Sequence, residues 1–296
     1  MMIRRHFITT LAAGLLISPL RAISALASEE NFTFLVIGDW GTGGSLQKKV
    51  ALGMRKLKEK LPKGKTPRFV LSTGDNIYPN GVSSAIDPQW ASKYEKIYEG
   101  LDLPWWAVLG NHDHRGDPDA QVAYGQRNPH WNMPSRTWSA EFTVDSVTKV
   151  AFLALDTTPL LQKKEGWKEQ LTWLEKTLSD STAQKTIVVG HHPLRSYGHY
   201  GDSDFLVKNV KPILDQHGVA LYCCGHEHDL QAIKHPTDRF GCLVSGGGGG
   251  SRPSRRGSHT RAVLSGGGFA TVTLAASEVD VKLYDASGNY RGKMNL

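Results

Sequence analysis

Short apolar runs alternate along this chain with amphipathic stretches, and most of the runs stop at a glycine followed by a polar side chain. Residues 32–37 predict a strand that reaches Gly38 and Asp39. Val50, Met54, Leu57 and Leu61 then recur every three or four positions, the spacing of one buried helical stripe, and Pro62 with Gly64 ends it. Residues 69–71 predict the next strand, before Gly74-Asp75. Trp90, Tyr94, Ile97 and Tyr98 predict a second helix, and residues 105–109 run as a strand into Gly110-Asn111-His112. Residues 116–137 are polar and aromatic without a period, and read as a segment that lines or covers a site. Strands are predicted again at 140–144 and 150–155, then a helix with Trp167, Leu171, Leu174 and Leu178 on one stripe. Residues 186–189 lead into Gly190-His191, a helix spans about 205–216, and residues 219–222 precede Gly225-His226. After that the texture is β only, at 230–233, 241–244, 269–274 and 279–284, the last two reading as a hairpin. The order predicts an α/β fold, a two-layered sandwich rather than two domains, with its chemistry at the carboxyl ends of strands. The glycines at 246–250 read either as a linker or as an ordered loop at the site, allowing positive φ or close backbone approach.

Composition changes this picture little. The 296 residues are 40% hydrophobic and 21% charged, ordinary for a soluble globular protein. The net charge of +7 comes from scattered lysines and arginines, and the densest run, from Lys56 to Lys65, reads as the solvated face and exit of a helix. Nucleic acid is therefore not an expected partner; a small anionic substrate uses the same charge. The N-terminus has Arg4-Arg5, a mostly apolar run over 7–17 and Ala25-Leu26-Ala27, the pattern of a secretory signal cleaved after Ala27. Arg4-Arg5 before His6-Phe7-Ile8 resembles a twin-arginine signal, a route for folded proteins that suits one taking its metals in the cytoplasm. Residues 1–27 are thus a signal peptide and 28–296 the functional domain, exported to a periplasm or secreted. The apolar run is short for a membrane span, so no stable insertion is expected after cleavage. Cys223, Cys224 and Cys242 form no disulfide framework. The first two point to opposite faces of a strand, so at least one is core, and pairing of Cys242 with either stays open.

The chemistry sits in five polar tips: Asp39 in IGDWG, Asp75 and Tyr78 in GDNIY, Asn111 and His112 in GNHDH, His191 in VVGHHP, and His226 with His228 in GHEHD. Carboxylates, imidazoles, an amide and a phenol together suit hard and borderline ions. Two adjacent cations repel and need a shared anion, which Asp39 or Asp75 can supply. A phenolate from Tyr78 favours a ferric ion. Each tip alone has a plainer reading as cap, turn or surface; five of them together predict a dinuclear hydrolase.

These tips, with LDT at 155–157, QLTWLEKTL, VSGGGG and the closing hairpin, resemble the calcineurin-like metallophosphoesterases. Tyr78 and the order of segments narrow the resemblance to the purple acid phosphatases of the small tartrate-resistant type. It implies a mixed sandwich flanked by helices, four layers α/β/β/α. It also implies Asp39, Asp75, Tyr78 and His228 as ligands of Fe(III), and Asp75, Asn111, His191 and His226 as ligands of a divalent Fe, Zn or Mn ion, with Asp75 bridging. His112 falls on the substrate side. The second substrate histidine of the family lies nine residues past His191, where this chain has Tyr200; His199, one residue short, is the residue expected to serve. Arg195 is a substrate-side candidate or a surface arginine. The implied activity is hydrolysis of phosphate monoesters by a metal-activated hydroxide attacking phosphorus, with small phosphate esters and the twin-arginine machinery as partners. Two alternatives remain: a metallophosphodiesterase, and an exported binding protein that keeps the fold without turnover.

Overall fold

The computed structural model describes residues 32–144, 148–275 and 278–296; the export signal read at 1–27 lies outside them. Strands buried on both faces read as continuous apolar runs and lie parallel when helices cover them, and that is how the chain starts. β1 (Phe32–Ile37), β2 (Val70–Ser72), β3 (Trp105–Ala107) and β4 (Trp131–Asn132) run side by side in parallel. The chain then builds a second sheet from β5 (Trp138–Thr143), β6 (Lys149–Ala154), β7 (Lys185–Val189), β8 (Leu221–Cys224), β9 (Leu230–Ile233), β10 (Gly241–Ser245) and β11 (Thr260–Leu264). Its order is β11-β9-β10-β8-β7-β6-β5, with β6, β7, β8 and β10 parallel. Finally β12 (Gly268–Leu274), β13 (Val279–Asp285) and β14 (Tyr290–Asn295) return to the first sheet antiparallel, beside β1. The 269–284 hairpin expected from the sequence is β12 and β13, in register from Gly268↔Asp285 to Leu274↔Val279.

Strand alternation sorts the core. Phe32, Phe34 and Val36 face the second sheet and pack with Phe69, Phe152 and Leu221, while Leu35 and Ile37 face outward. Against that outer face lie Val50, Met54 and Leu57 of α1 (Ser45–Lys60), and the aromatic turns at Trp90–Glu95 and α2 (Lys96–Tyr98). In chain order follow α3 (Pro118–Tyr124), α4 (Thr157–Leu161), α5 (Trp167–Asp180), α6 (Asp204–Asn209) and α7 (Lys211–Gln216). Leu174 and Leu178 of α5 and Leu214 of α7 cover the outer face of the second sheet, with Val188 and Tyr222. Helices, sheet, sheet, helices is the α/β/β/α arrangement. Each fully buried Phe or Leu in these interfaces contributes roughly 1.5–3 kcal/mol, so the three apolar layers dominate stability over any single polar contact.

Two local expectations change, and the open question of cysteine pairing is answered. Residues 116–137 are not an irregular cover. They contain α3, capped by the Asp117 carboxylate accepting from the Asp119 N–H, and β4, and Tyr124 stacks on Trp90 at 3.7 Å. Seven helical residues are too few to display a period. The helix expected over 205–216 breaks at Val210, because Pro212 lacks an N–H and is tolerated only in a first turn. Cys223 faces the inter-sheet core, Cys224 and Cys242 face the helices, and all three are buried free thiols.

Candidate metal centre

The parallel strands deliver their tips to one edge, where the two sheets meet. Asp39, Asp75, His226 and His228 all adopt positive φ, at 57°, 51°, 71° and 55°. Left-handed backbone costs a non-glycine residue about 1–3 kcal/mol and concentrates at functional sites. Here it turns side chains that would lie over the strand ends back toward a common point. Each carboxylate is then divided between two tasks. Asp39 Oδ2 accepts the His226 N–H at 2.8 Å, and Asp75 Oδ1 accepts the His112 N–H at 2.8 Å. The other two oxygens, Asp39 Oδ1 and Asp75 Oδ2, face the centre. Gly110 permits this: a Cβ there would stand 2.1 Å from Asp75 Oδ1.

Around the inward oxygens the donors fall into two groups. Tyr78 Oη lies 3.0 Å from Asp39 Oδ1, 2.8 Å from Asp75 Oδ2 and 3.1 Å from His228 Nε2, and His228 Nε2 is 3.4 Å from Asp39 Oδ1. In the second group His191 Nε2 lies 3.5 Å from Asp75 Oδ2, 3.2 Å from Asn111 Oδ1 and 3.2 Å from His226 Nδ1. Asp75 Oδ2 belongs to both. His191 Nδ1 donates to the Thr73 carbonyl at 2.9 Å, which leaves its Nε2 as the free lone pair, the orientation imposed on ligand imidazoles by their outer partners.

The electrostatics favour cations. Tyr78 has one proton to donate, yet two carboxylate oxygens and an imidazole nitrogen stand within 3.1 Å of it. Burial, then Asp39 and Asp75, push its phenol far above the ordinary value; a bound cation inverts that balance. Burial, then His191, His192 and Arg252, hold the His226 imidazole far below its usual range, so it is neutral and able to ligate. Burial pulls His191 down, but Asp75 and Asp39 outweigh it and raise it. Carboxylates, phenol, amide and imidazoles converging on Asp75 fit a pair of hard and borderline cations.

The remaining predicted residues separate. His112 is at the rim: Nδ1 donates to the Pro79 carbonyl at 2.6 Å, and Nε2 is 4.0 Å from Asp75 Oδ2. Tyr200, rather than His199, meets the cluster, its ring stacked on His226 at 4.3 Å. His199 is exposed and edge-on to Tyr200 at 4.8 Å. The reason is Glu227, fully buried, whose carboxylate accepts the His199 and Tyr200 N–H groups and the Ser196 hydroxyl. Arg195 is held by Asp238 at 2.8 and 2.9 Å and by Asp202 at 2.7 Å, a structural ion pair that raises its pKa.

Sequence reasoning missed the residues that set the tips. Asp113, fully buried, accepts N–H bonds from Asn76, Ile77 and Gly110 and so ties the β2 tip to the β3 tip. Its place inside GNHDH was the available signal. The glycines at 246–250 are an ordered loop: Gly248 N–H donates to the Gly38 carbonyl at 3.0 Å, and Gly246 N–H to the Asp229 carbonyl at 2.9 Å. Close approach, not positive φ, is what requires them; a Cβ on Gly250 would stand 2.5 Å from His228 Nδ1.

Known proteins resemble this chain. The model of the calcineurin-like phosphoesterase family matches residues 20–230. Purple acid phosphatase 4 of Arabidopsis thaliana is 37% identical over 289 residues, 88% of this chain and 81% of its own. Tartrate-resistant acid phosphatase type 5 of Homo sapiens is 32% identical over 295 residues, 89% of this chain and 90% of its own. Among solved structures, GAP50, the anchor in the inner membrane complex of Plasmodium, matches with a TM-score of 0.80 at 26% identity, covering 90% of this chain and 88% of that one.

Proposed function

The chain belongs to the calcineurin-like phosphoesterase family, on its purple acid phosphatase side, and from that premise we propose that it is an exported acid phosphatase that hydrolyses small phosphate monoesters. The observation that carries the reading is Asp75 Oδ2, shared between the Tyr78 group at 2.8 Å and the His191 group at 3.5 Å. In this reading Asp39, Asp75, Tyr78 and His228 hold Fe(III), and Asp75, Asn111, His191 and His226 hold a divalent Fe, Zn or Mn ion. Such a pair, when bound, supplies Lewis acidity: it polarises phosphoryl oxygens and lowers the pKa of water.

The chain's own groups do the rest. Because a carbonyl oxygen only accepts, His112 Nδ1 must carry a proton toward Pro79. Its Nε2 is then the ring nitrogen left facing the substrate side, and it donates there only when it too carries a proton. His112 is thus placed to pass a proton to the departing alkoxide. Tyr200, stacked on His226, offers a phenol where the family has a second substrate histidine. The likeness to GAP50, named as an anchor, would suit a protein without turnover; the convergence of all seven donors on one centre favours catalysis.

Metal analysis with the visible spectrum tests the centre. The oxidised protein is expected to hold two metal ions, one of them iron, and to be coloured by phenolate charge transfer. Tyr78→Phe should bleach the colour and retain most of the divalent ion. Colourless, iron-loaded wild type overturns the ferric assignment. Turnover of p-nitrophenyl phosphate well above that of bis-p-nitrophenyl phosphate is expected; the reverse order makes it a diesterase.

A further inference from the structure

Two arginines near this centre are treated differently by the fold. Arg195 has its guanidinium ion-paired to Asp238 and Asp202, with a further hydrogen bond to the Thr237 hydroxyl. Arg252 lies two residues past Gly250, the last glycine of the loop, and its backbone N–H donates to the His228 carbonyl at 2.9 Å, which seats it against the last ligand pair. Its Nη1 donates to the His226 carbonyl at 3.2 Å, and its guanidinium carbon is 5.1 Å from the centroid of the Tyr200 ring, itself stacked on His226. That hydrogen bond uses one of five guanidinium N–H donors. Among the described residues no carboxylate lies within ion-pair distance of Arg252, although the side chain is half-buried. Arg255 and Arg256 are exposed on the same segment, and Arg256 Nη2 donates to the Arg261 carbonyl. A half-buried guanidinium beside a metal ligand, with free donors and no counter-ion, is one half of an ion pair. Its planar fork matches a phosphate group in bidentate fashion, which an ammonium does not.

We propose that Arg252 is a specificity-determining residue that binds a second phosphoryl group of the substrate. The substrate class favoured is then a phosphate ester or anhydride with a further phosphoryl group next to the one removed, the terminal phosphate of a nucleoside diphosphate being the simplest case. This rests on the phosphatase reading above. The reaction is the same hydrolysis: water adds to the terminal phosphorus, the bridging P–O bond breaks, and the shorter phosphate leaves with the bonding electron pair. Arg252 touches the group that remains, so its contribution belongs to recognition.

The test uses two probes whose P–C bonds resist hydrolysis, methylenebisphosphonate and methylphosphonate, titrated calorimetrically into metal-loaded wild type, Arg252→Ala and Arg252→Lys. Metal content is measured on each preparation. Arg252→Ala should weaken the bisphosphonate by about tenfold or more, the scale of losing charged hydrogen bonds, and methylphosphonate by less than about threefold. Arg252→Lys, which keeps charge but not the fork, should fall between. In parallel, kcat/KM for ADP relative to p-nitrophenyl phosphate should drop in Arg252→Ala, through KM. An equal loss for both probes, or no loss for either, overturns the proposal. Should Arg252→Ala lose metal, the Lys variant with full metal content decides by the same comparison. A differential in binding without turnover of any phosphate ester upholds the anion site and overturns the phosphatase reading instead.

Discussion

At the scale of single residues, adjacent side chains in this site point to different places. Asn111 Oδ1 faces His191 Nε2 at 3.2 Å, whereas His112 turns its ring to the Pro79 carbonyl and the rim. Asn111→Ala should therefore weaken the divalent site, with activity partly restored by added metal. His112→Ala should retain both metals and lower kcat by roughly tenfold to a thousandfold, the range for one general acid or electrostatic donor. Metal content together with kcat separates the two; loss of metal in His112→Ala, rescued by excess metal, would reverse the assignments. The same scale explains why His199 and Tyr200 were hard to rank from sequence. They are adjacent, and which ring turns toward His226 is decided by Glu227, 28 residues beyond His199 in the chain, which holds both of their N–H groups.

At the scale of elements, the strands that deliver ligands were legible and several others were not. β1, β7 and β8 are short, largely apolar strands followed by a glycine and a candidate ligand, so their signal is strong. β4, β11 and β14 were not anticipated. Each is an edge strand, and β14, Tyr-Arg-Gly-Lys-Met-Asn, has Met294 as its one fully buried side chain. An edge strand is defined by the backbone it pairs with, which leaves little trace in its own hydrophobicity. The glycine loop after β10 was ambiguous for a similar reason: a glycine needed for close approach and a glycine in a linker are the same letter. Gly250→Ala distinguishes them. With a Cβ due 2.5 Å from His228 Nδ1, the imidazole has to shift. The variant should stay folded, lose colour intensity and iron affinity, and lose activity by roughly a hundredfold, the cost of misplacing a site group by about 1 Å. Unchanged iron content and spectrum would show that the loop yields and that His228 does not depend on it.

At the scale of the whole molecule, the arrangement is two sheets that meet at the edge where their ligand-bearing strands end, so neither sheet alone contains the centre. Asp39, Asp75, Tyr78 and Asn111 come from the first sheet's tips, and His191, His226 and His228 from the second's. The centre therefore forms only in the packed sandwich. That bears on export. Among the described residues no helix is long and apolar enough to cross a membrane, and Arg4-Arg5 head the N-terminal segment. If the sandwich is completed and loaded before transport, replacing Arg4 and Arg5 together by Lys should leave the precursor in the cytoplasm. Fractionation checks this, and undiminished export would exclude the folded route while leaving the site unaffected.

The sequence by itself marked the candidate side chains for the chemistry and the order in which strands and helices present them. Those features are local: an apolar run, a glycine, a ligand-competent residue, repeated five times. It also specified that strand faces would be sorted by alternation, as Phe34 and Leu35 are. Only the tertiary structure decided what depends on backbone meeting backbone across long separations. That includes the positive φ of Asp39, Asp75, His226 and His228, the division of each carboxylate between a neighbouring tip and the centre, and Asp113 as the tie between β2 and β3. It also includes the pairing of Arg195 with Asp238 and Asp202 while Arg252 keeps free donors. Composition and spacing list an arginine's charge, but its counter-ion comes from another part of the fold, and so does the freedom to bind something else.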